Sequence, residues 1–260
     1  MITILTPSYN RAHTLTRLFE SLIQQSNQNF EWLIIDDGSD DDTLGCVDTF
    51  IKDNKVNIKY YFQTNKGKPS AVNFGVEKAS GSYIFIVDSD DLLPADSIET
   101  ICEKIKFHES LNNTFSGICF RKSTLDGRLL GIDFKQNENK FKYLNSTELK
   151  NIFNVDLAYI FKRDVMLKYP FPFFDKENFV PELYIWNKIT DYAKVYAYIN
   201  KSIYLCEYLP DGLTANFKKQ LRKNPRGFGL YYKNQLKRES NLITKIKIFI
   251  RLAQCFLYRN

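Results

Sequence analysis

No apolar run in this chain approaches the about 20 residues that a membrane-spanning helix needs, so membrane-embedded architectures are not expected. The opening Met1-Ile2-Thr3-Ile4-Leu5-Thr6-Pro7 has no basic stretch ahead of a long apolar one and does not read as a secretory leader. Cysteines are few, odd in number and scattered: Cys46, Cys102, Cys119, Cys206 and Cys255 form no C-x-x-C pair. A zinc centre and a disulfide framework are therefore not expected, and a reducing compartment fits best. No G-x-G-x-x-G follows the first apolar run, which disfavours a dinucleotide-dependent dehydrogenase. Internal repeats and low-complexity linkers are lacking too. Acidic residues all but vanish from the end of the chain, where Glu239 is the only one after Asp211.

What is present is ordinary globular material. The 260 residues are 44% hydrophobic and 25% charged, enough for one large domain or a domain with a smaller lobe. The net charge of +6 is concentrated late, from Lys218 and Lys219 through Arg222, Lys223 and Arg226 to Arg259. Such an end suits an anionic lipid surface or a phosphate-bearing ligand. No nucleic-acid motif accompanies it, so nucleic acid is not an expected partner. Between Leu242 and Tyr258, Ile243, Ile246, Phe249, Ile250, Phe256 and Leu257 interleave with Lys245, Lys247 and Arg251. That is the outline of a basic amphipathic helix, which either lies on a membrane face or packs on the protein's own core. The expected location is the cytoplasm, with peripheral contact on the inner face of the cell membrane through this helix.

Along the first hundred residues, strand and helix patterns alternate. Ile2 to Thr6, Trp32 to Ile35, Ile58 to Phe62 and Tyr83 to Val87 read as strands. Between and after them, Leu15, Leu18, Phe19 and Leu22, then Leu44, Val47 and Ile51, then Val72, Val76 and Ala79, then Ile98, Ile101 and Ile105 recur at helical spacing. Apolar strands without polar alternation predict a mostly parallel central sheet with helices on both faces, an α/β fold. The second half is less regular. Strands are expected at Phe115 to Arg121, Ala158 to Phe161, Lys194 to Ile199 and Ile203 to Leu209, a turn at Asp126-Gly127, and helices at Arg163 to Lys168 and around Leu183 to Ile189.

The run Tyr83-Ile84-Phe85-Ile86-Val87 leads straight into Asp88-Ser89-Asp90-Asp91. Three like charges at a strand end repel one another, and a hard divalent cation such as Mg²⁺ or Mn²⁺ relieves that repulsion with oxygen ligands. The alternative is a solvated acidic turn. Two further strand ends carry special chemistry, Thr6-Pro7-Ser8-Tyr9-Asn10-Arg11 and Asp36-Asp37-Gly38-Ser39. In a parallel sheet all three face one crevice outside the carboxyl ends, where ligands bind.

The ordered set of these motifs resembles glycosyltransferases of family 2, nucleotide-diphospho-sugar enzymes with the GT-A fold. The likeness continues through Asn65-Lys66-Gly67-Lys68, Ala71-Val72-Asn73-Phe74-Gly75 and Ala79-Ser80-Gly81 and covers the first hundred residues densely. Looser likeness in Phe179 to Trp186 and Tyr208 to Asn216 points to a bacterial branch that builds capsular or cell-wall polysaccharide. The resemblance implies a nucleotide-sugar-binding half at 1–115, an acceptor-binding half of the same domain at 116–235, and the basic helix at 236–260. It implies a metal-dependent, inverting transfer from a nucleotide-diphosphate donor, expected to be a UDP-sugar, to a glycan or lipid-linked acceptor, with Mn²⁺ or Mg²⁺ as cofactor.

Residue roles follow from that resemblance. Thr6, Pro7, Tyr9, Arg11, Asp36, Asp37, Lys68, Asn73, Asp88 and Ser89 fall on the nucleotide-binding motifs. Tyr9 offers a ring to stack on a base, or is a plain turn aromatic. Asp37 offers an acceptor to a uracil imide and Asp36 one to ribose or base, or both serve to cap the next helix. Lys68 meets base or phosphate, or is a surface lysine. Asp90 matches the direct cation ligand, Asp88 its donor-side partner, and Asp91 is expected to point back into the protein. Inverting transfer also needs a carboxylate to take the acceptor's proton. The matching stretch is Val180-Pro181-Glu182-Leu183, with Glu-Leu where many relatives have Glu-Asp, so Glu182 is the expected catalytic base, with Asp211 and Glu177 in reserve. Trp186 stacks on a sugar or packs in the core. Many relatives supply a later His to the metal; here His13 and His108 both lie in the first half, leaving Lys219, Arg222 or Arg226 to meet a pyrophosphate. The competing readings are a sugar-phosphate nucleotidyltransferase, disfavoured by the glycine-free loop after the first strand, and a non-catalytic nucleotide-sugar-binding protein.

Overall fold

The four early apolar runs form β1 (Ile2–Ser8), β2 (Phe30–Asp36), β3 (Ile58–Phe62) and β4 (Tyr83–Ile86) in the computed structural model, which describes residues 1–132, 141–207 and 216–259. Helices α1 (Ala12–Ile23), α2 (Thr43–Asp53), α3 (Lys68–Lys78) and α4 (Ser97–Ser110) alternate with them. β1 lies between β2 and β4 and runs parallel to both, and β2 is parallel to β3. Every residue of β1 and β2 is buried, as central strands covered on both faces require.

The later chain adds β5 (Gly117–Ser123), β6 (Phe141–Leu144), α5 (Ser146–Phe153), β7 (Ala158–Lys162), α6 (Arg163–Lys168), α7 (Leu183–Tyr192) and β8 (Val195–Leu205). Helices α8 (Phe217–Lys223), α9 (Pro225–Arg238) and α10 (Leu242–Leu257) complete it. All eight strands form one sheet in the order β3-β2-β1-β4-β7-β5-β8-β6. β7 is antiparallel to β4 and β5, and β6 to β8, while β5 and β8 are parallel. The sheet is thus parallel in its first half and mixed in its second. One core cluster gathers α1, α2 and α4 residues such as Leu18, Phe50 and Ile101; a second gathers Val72, Leu149, Val165 and Ile189 from α3, α5, α6 and α7; a third, smaller one joins Leu221, Phe228, Tyr232 and Cys255 of α8, α9 and α10.

Two expected late strands are one. Asn200 and Lys201 interrupt the apolar pattern without turning the chain, because β8 slips register against β5 between Phe120 and Arg121 and stays extended. The Asp126-Gly127 turn is present, with Gly127 at φ 84°. Residues 208–215, which hold part of the Tyr208–Asn216 motif and Asp211, lie outside the described residues.

At the amino end of the strands, Glu31 is fully buried yet ionised. Burial works against its charge, but Lys59 at 2.8 Å, the Thr3 hydroxyl at 2.6 Å and the Ser80 amide at 2.5 Å hold its carboxyl below the usual range. These contacts tie β1, β2 and the entry to β4 together, so β4 delivers its acidic end in fixed register.

Candidate active site

The three strand ends meet as the parallel sheet requires. Ser8 pairs with Asp36, and Leu5 with Ile86, so the residues after β1, β2 and β4 emerge along one edge. The first two loops are laced together. Asp37 N–H donates to the Ser8 carbonyl, Asn10 N–H to the Ser39 hydroxyl, and Asp40 N–H to the Asn10 side chain. Asn10 takes φ 54°, which turns the chain out of β1 and leaves Tyr9 about half exposed. Arg11 follows at the start of α1.

Asp36 and Asp37 are buried and build the loops around them. Asp36 accepts from Ser39 N–H and the Tyr60 hydroxyl. Asp37 accepts from Gln63 Nε2 and Lys66 N–H on one oxygen and from Gly67 N–H on the other. This pins the turn at Gly67, whose φ of 86° and close pass against the Asn178 carbonyl leave no room for a side chain. The pinned turn places Lys68 at the start of α3.

Lys68 Nζ lies 2.6 Å from Asp88 Oδ1 and 2.7 Å from Glu182 Oε1. Burial pulls down the lysine's affinity for its proton, but Asp88 and Glu182 more than restore it. Burial likewise opposes charge on Asp88, yet Lys68 and Lys122 hold its carboxyl below the usual range. One ammonium therefore joins the end of β4 to the start of α7, some ninety residues on in sequence. Glu182 sits at the N-cap of α7, beside the positive end of the helix. Its segment threads between two glycines: Asn178 abuts Gly67, and a Cβ on Gly227 would strike the Phe179 carbonyl.

The remaining acids of the cluster divide. Asp90 is half-buried, and burial together with the Asp88 charge pushes its carboxyl up. Asp91 points inward, accepting from the Tyr204 hydroxyl at 2.7 Å and Glu207 N–H at 3.3 Å. Burial, with Asp88 beside it, raises it to about 7. Ser89 is buried. Among the described residues no three His, Cys, Asp or Glu side chains converge into a metal cage. Asp88 and Asp90 nonetheless have the oxygen chemistry for a hard cation that completes its shell elsewhere, and the Asp88 charge on Asp90 is one that such a cation would offset.

Several expected residues are occupied otherwise. Thr6 is buried and accepts from the Trp32 indole. The Asn73 carboxamide clasps both backbone groups of Phe171. Trp186 is buried against Phe161 and Phe171, a core residue. Glu177 caps α9 by accepting from Arg226 and Gly227 N–H. Lys219, Arg222 and Arg226 are exposed, and Arg222 stacks on Tyr258. Pro7 is buried at the end of β1.

Three residues escaped the sequence reading. Lys122 of β5 lies 4.2 Å from the Tyr204 ring centre; burial opposes its charge, but Asp88, Asp91, Asp156 and Glu182 hold its proton more firmly than usual. Tyr204 of β8 bonds both Asp88 N–H and Asp91 and so fixes the acidic turn. The Ser8 hydroxyl is buried at the crevice edge with no partner among the described residues. Only the position of Ser8 inside a motif gave any signal; Lys122 and Tyr204 reach the site through strand order.

The pattern defining the family described as Glycosyl transferase family 2 matches residues 3–169. E. coli WfgD, a UDP-Glc:alpha-D-GlcNAc-diphosphoundecaprenol beta-1,3-glucosyltransferase, is 27% identical over 100% of this chain and 97% of its own. An uncharacterized glycosyltransferase of Rickettsia felis is 37% identical over 129 residues, 50% of this chain and 21% of that one. The chain spans about a fifth of the length of the three Rickettsia relatives it matches. S. aureus TarS 1–349 in complex with UDP-GlcNAc superposes with a TM-score of 0.70 at 18% identity, covering 99% of this chain and 72% of that one. Mannosyltransferase PcManGT from Pyrobaculum calidifontis, in complex with GDP-Man and Mn²⁺, gives 0.59 at 16% identity, covering 99% and 73%. These likenesses show the architecture to be the GT-A fold.

Proposed function

The chain belongs to glycosyl transferase family 2, and on that premise we propose that it transfers a sugar, with inversion, from a UDP-sugar to a lipid-linked or glycan acceptor in surface polysaccharide synthesis. The observation that carries this reading is the Asp88–Lys68–Glu182 bridge. It holds a donor-side carboxylate and a base candidate from the other half of the chain on one cation. The donor preference is supported by UDP-GlcNAc in TarS, and the acceptor class by the diphosphoundecaprenol substrate in the name of WfgD.

In this reading Tyr9 gives its exposed face to the base, and the buried Asp36 and Asp37 shape the loops that receive it. Asp37 Oδ2 has one acceptor position left after Gly67, suited to an imide N–H. Pro7 and Ser89 line the same edge, with Arg11 at its rim, and the Ser8 hydroxyl offers a buried donor. Glu182 takes the acceptor's proton as that oxygen attacks the anomeric carbon from the face opposite the diphosphate. The bond from anomeric carbon to diphosphate oxygen breaks, with its electrons leaving on the diphosphate, and Lys68 and Lys122 meet the charge that develops. Asp88 and Asp90 would hold a divalent cation, Mn²⁺ or Mg²⁺, which when bound neutralises the leaving diphosphate as a Lewis acid. PcManGT, with its Mn²⁺, supports that assignment by fold.

No helix among the described residues is long and apolar enough to cross a membrane. Ile243, Ile246, Phe249 and Ile250 on α10 are more than half exposed, which supports peripheral contact with an anionic membrane. The test of the transfer reading is a panel of nucleotide sugars with Mn²⁺ or Mg²⁺, scored by thermal shift and by slow UDP release. Binding raises the melting temperature by mass action. No shift with any nucleotide sugar and either metal refutes the reading. Pyrophosphate release from UTP and a sugar phosphate would establish the nucleotidyltransferase instead, and binding without any turnover the non-catalytic protein.

A further inference from the structure

Away from the crevice, a groove of about 850 Å³ runs between α5, α9 and α10. Lys150 from α5 and Lys247 and Arg251 from α10 line it, and Glu239 is its only acid. Glu239 already accepts from Asn241 N–H. Two of the cations are set in place by neutral partners: Lys150 donates to the Tyr231 hydroxyl at 2.8 Å, and Arg251 to Gln254 Oε1 at 2.9 Å. An ammonium has three donors and a guanidinium five, so both keep donors for a ligand. Gln235 lines the same groove from α9. It is only 8% exposed, and its Nε2 has no acceptor among the described residues. A buried donor without an acceptor is unfavourable until an anion or carbonyl arrives.

The groove borders an apolar surface. At about 100° per residue, Ile243, Ile246, Phe249 and Ile250 share one exposed stripe of α10 with Phe256 and Leu257. Lys247, Arg251 and Gln254 fall on the flank of that stripe, facing the groove. The opposite side of α10 packs on α9 through Cys255. Cationic and amide donors therefore stand beside a continuous exposed hydrocarbon surface. A soluble phosphate has no use for that surface; an amphiphile has.

We propose that this groove binds the phosphate headgroup of a membrane lipid while the α10 stripe enters the acyl layer beside it. Charge complementarity selects the headgroup, and the stripe selects a membrane-borne source. The inference rests on the peripheral membrane contact proposed above and names the site that gives it specificity.

The test is flotation of the full chain with three vesicle types: phosphatidylcholine alone, phosphatidylcholine with phosphatidylglycerol, and phosphatidylcholine with a polyprenyl phosphate. Lys150→Gln, Lys247→Gln and Arg251→Gln together should lower affinity for the phosphate-bearing vesicles at least 10-fold. Gln235→Leu should lower it several-fold without changing net charge, which separates a built site from diffuse attraction. Phe249→Ser with Ile246→Ser should reduce binding to every vesicle type. UDP release from a nucleotide sugar without acceptor, measured alongside, reports the crevice alone; its retention in the groove variants shows them folded, and its loss in the wild type counts against the transfer reading rather than the groove. Equal flotation of groove variants and wild type overturns the proposal. So does failure of the phosphate-bearing vesicles to float the wild type any better than phosphatidylcholine alone.

Discussion

Replacing Lys68 by Met keeps the aliphatic length and removes the ammonium between Asp88 and Glu182. The two contacts are short, 2.6 and 2.7 Å, but the side chains are 23%, 34% and 37% exposed, so solvent screens much of the attraction. Discounted for that exposure, each contact contributes about 1 kcal/mol, and together about 2. For a chain of this size that lowers the melting temperature by roughly 4–8 °C at low salt and without metal. The same change leaves Asp88 and Asp90 with one positive charge fewer, so Mn²⁺ should bind the variant more tightly, by about 5-fold for 1 kcal/mol. Added Mn²⁺ therefore restores more stability to Lys68→Met than to the wild type, while transfer falls at least 10-fold because the departing diphosphate has lost a partner. Differential scanning fluorimetry across a Mn²⁺ titration and a UDP-release assay read both effects. If the variant melts with the wild type and Mn²⁺ raises both equally, the bridge does not organise the crevice.

Glu182→Gln should leave donor binding within about 2-fold and cut transfer by roughly 10²–10⁴; wild-type rates would remove Glu182 as the base. Gly67→Ala should cost at least about 2 kcal/mol in urea melts and most of the activity, because its Cβ meets the Asn178 carbonyl at a φ of 86°; an unperturbed variant would show that Lys68 and Glu182 do not depend on that turn. The acidic turn also sets a pH response, with EDTA present to exclude metal. Asp91 is raised to about 7 from 3.8, so the folded chain holds an extra proton between those values, and its contribution is full near pH 4 and lost as pH rises through 7. Burial lowers His108 from 6.5 to about 4, which works oppositely: its contribution is full above pH 6.5 and lost as pH falls. The wild-type profile should be shallow for that reason, and Asp91→Asn should gain on the order of 2–4 kcal/mol relative to wild type between pH 5 and pH 8; parallel profiles would refute the assignment.

The sequence disclosed the donor half because its signals are local. Apolar strands that lead into Tyr9, Asp37 and Asp88 specify a parallel edge, and parallel pairing alone brings those ends together. The family likeness then picked out Glu182, whose place beside Asp88 no local pattern contains. What stayed hidden depends on pairing order. Lys122 reaches the acids because β7 inserts antiparallel between β4 and β5 and carries β5 across the crevice. Tyr204 arrives through β8, whose slipped register hid a single strand behind two apolar runs. Helix α5 was not among the expected elements, although Asn145 and Glu148, which form its reciprocal cap, are a local start signal. The start of α9 also carries a local signal, Asn224 before Pro225, but the carboxylate that caps it, Glu177, lies far away in sequence.

The same distinction explains the motif residues that have other tasks. A motif records which residues a site needs, and part of that need is to hold the loops still. Asp37 is bonded to three groups of the Gly67 turn, and Asn73 to the backbone of Phe171. Thr6 braces the Trp32 indole. Asp37 keeps a single acceptor position on Oδ2, while Thr6 and Asn73 are satisfied without a ligand. The Ser8 hydroxyl and the excess charge at Asp90 are not. In the proposed transfer reading, the unsatisfied groups on the edge between β1 and β4, more than motif membership, are where the donor and its cation would bind, beside the bridge to Glu182.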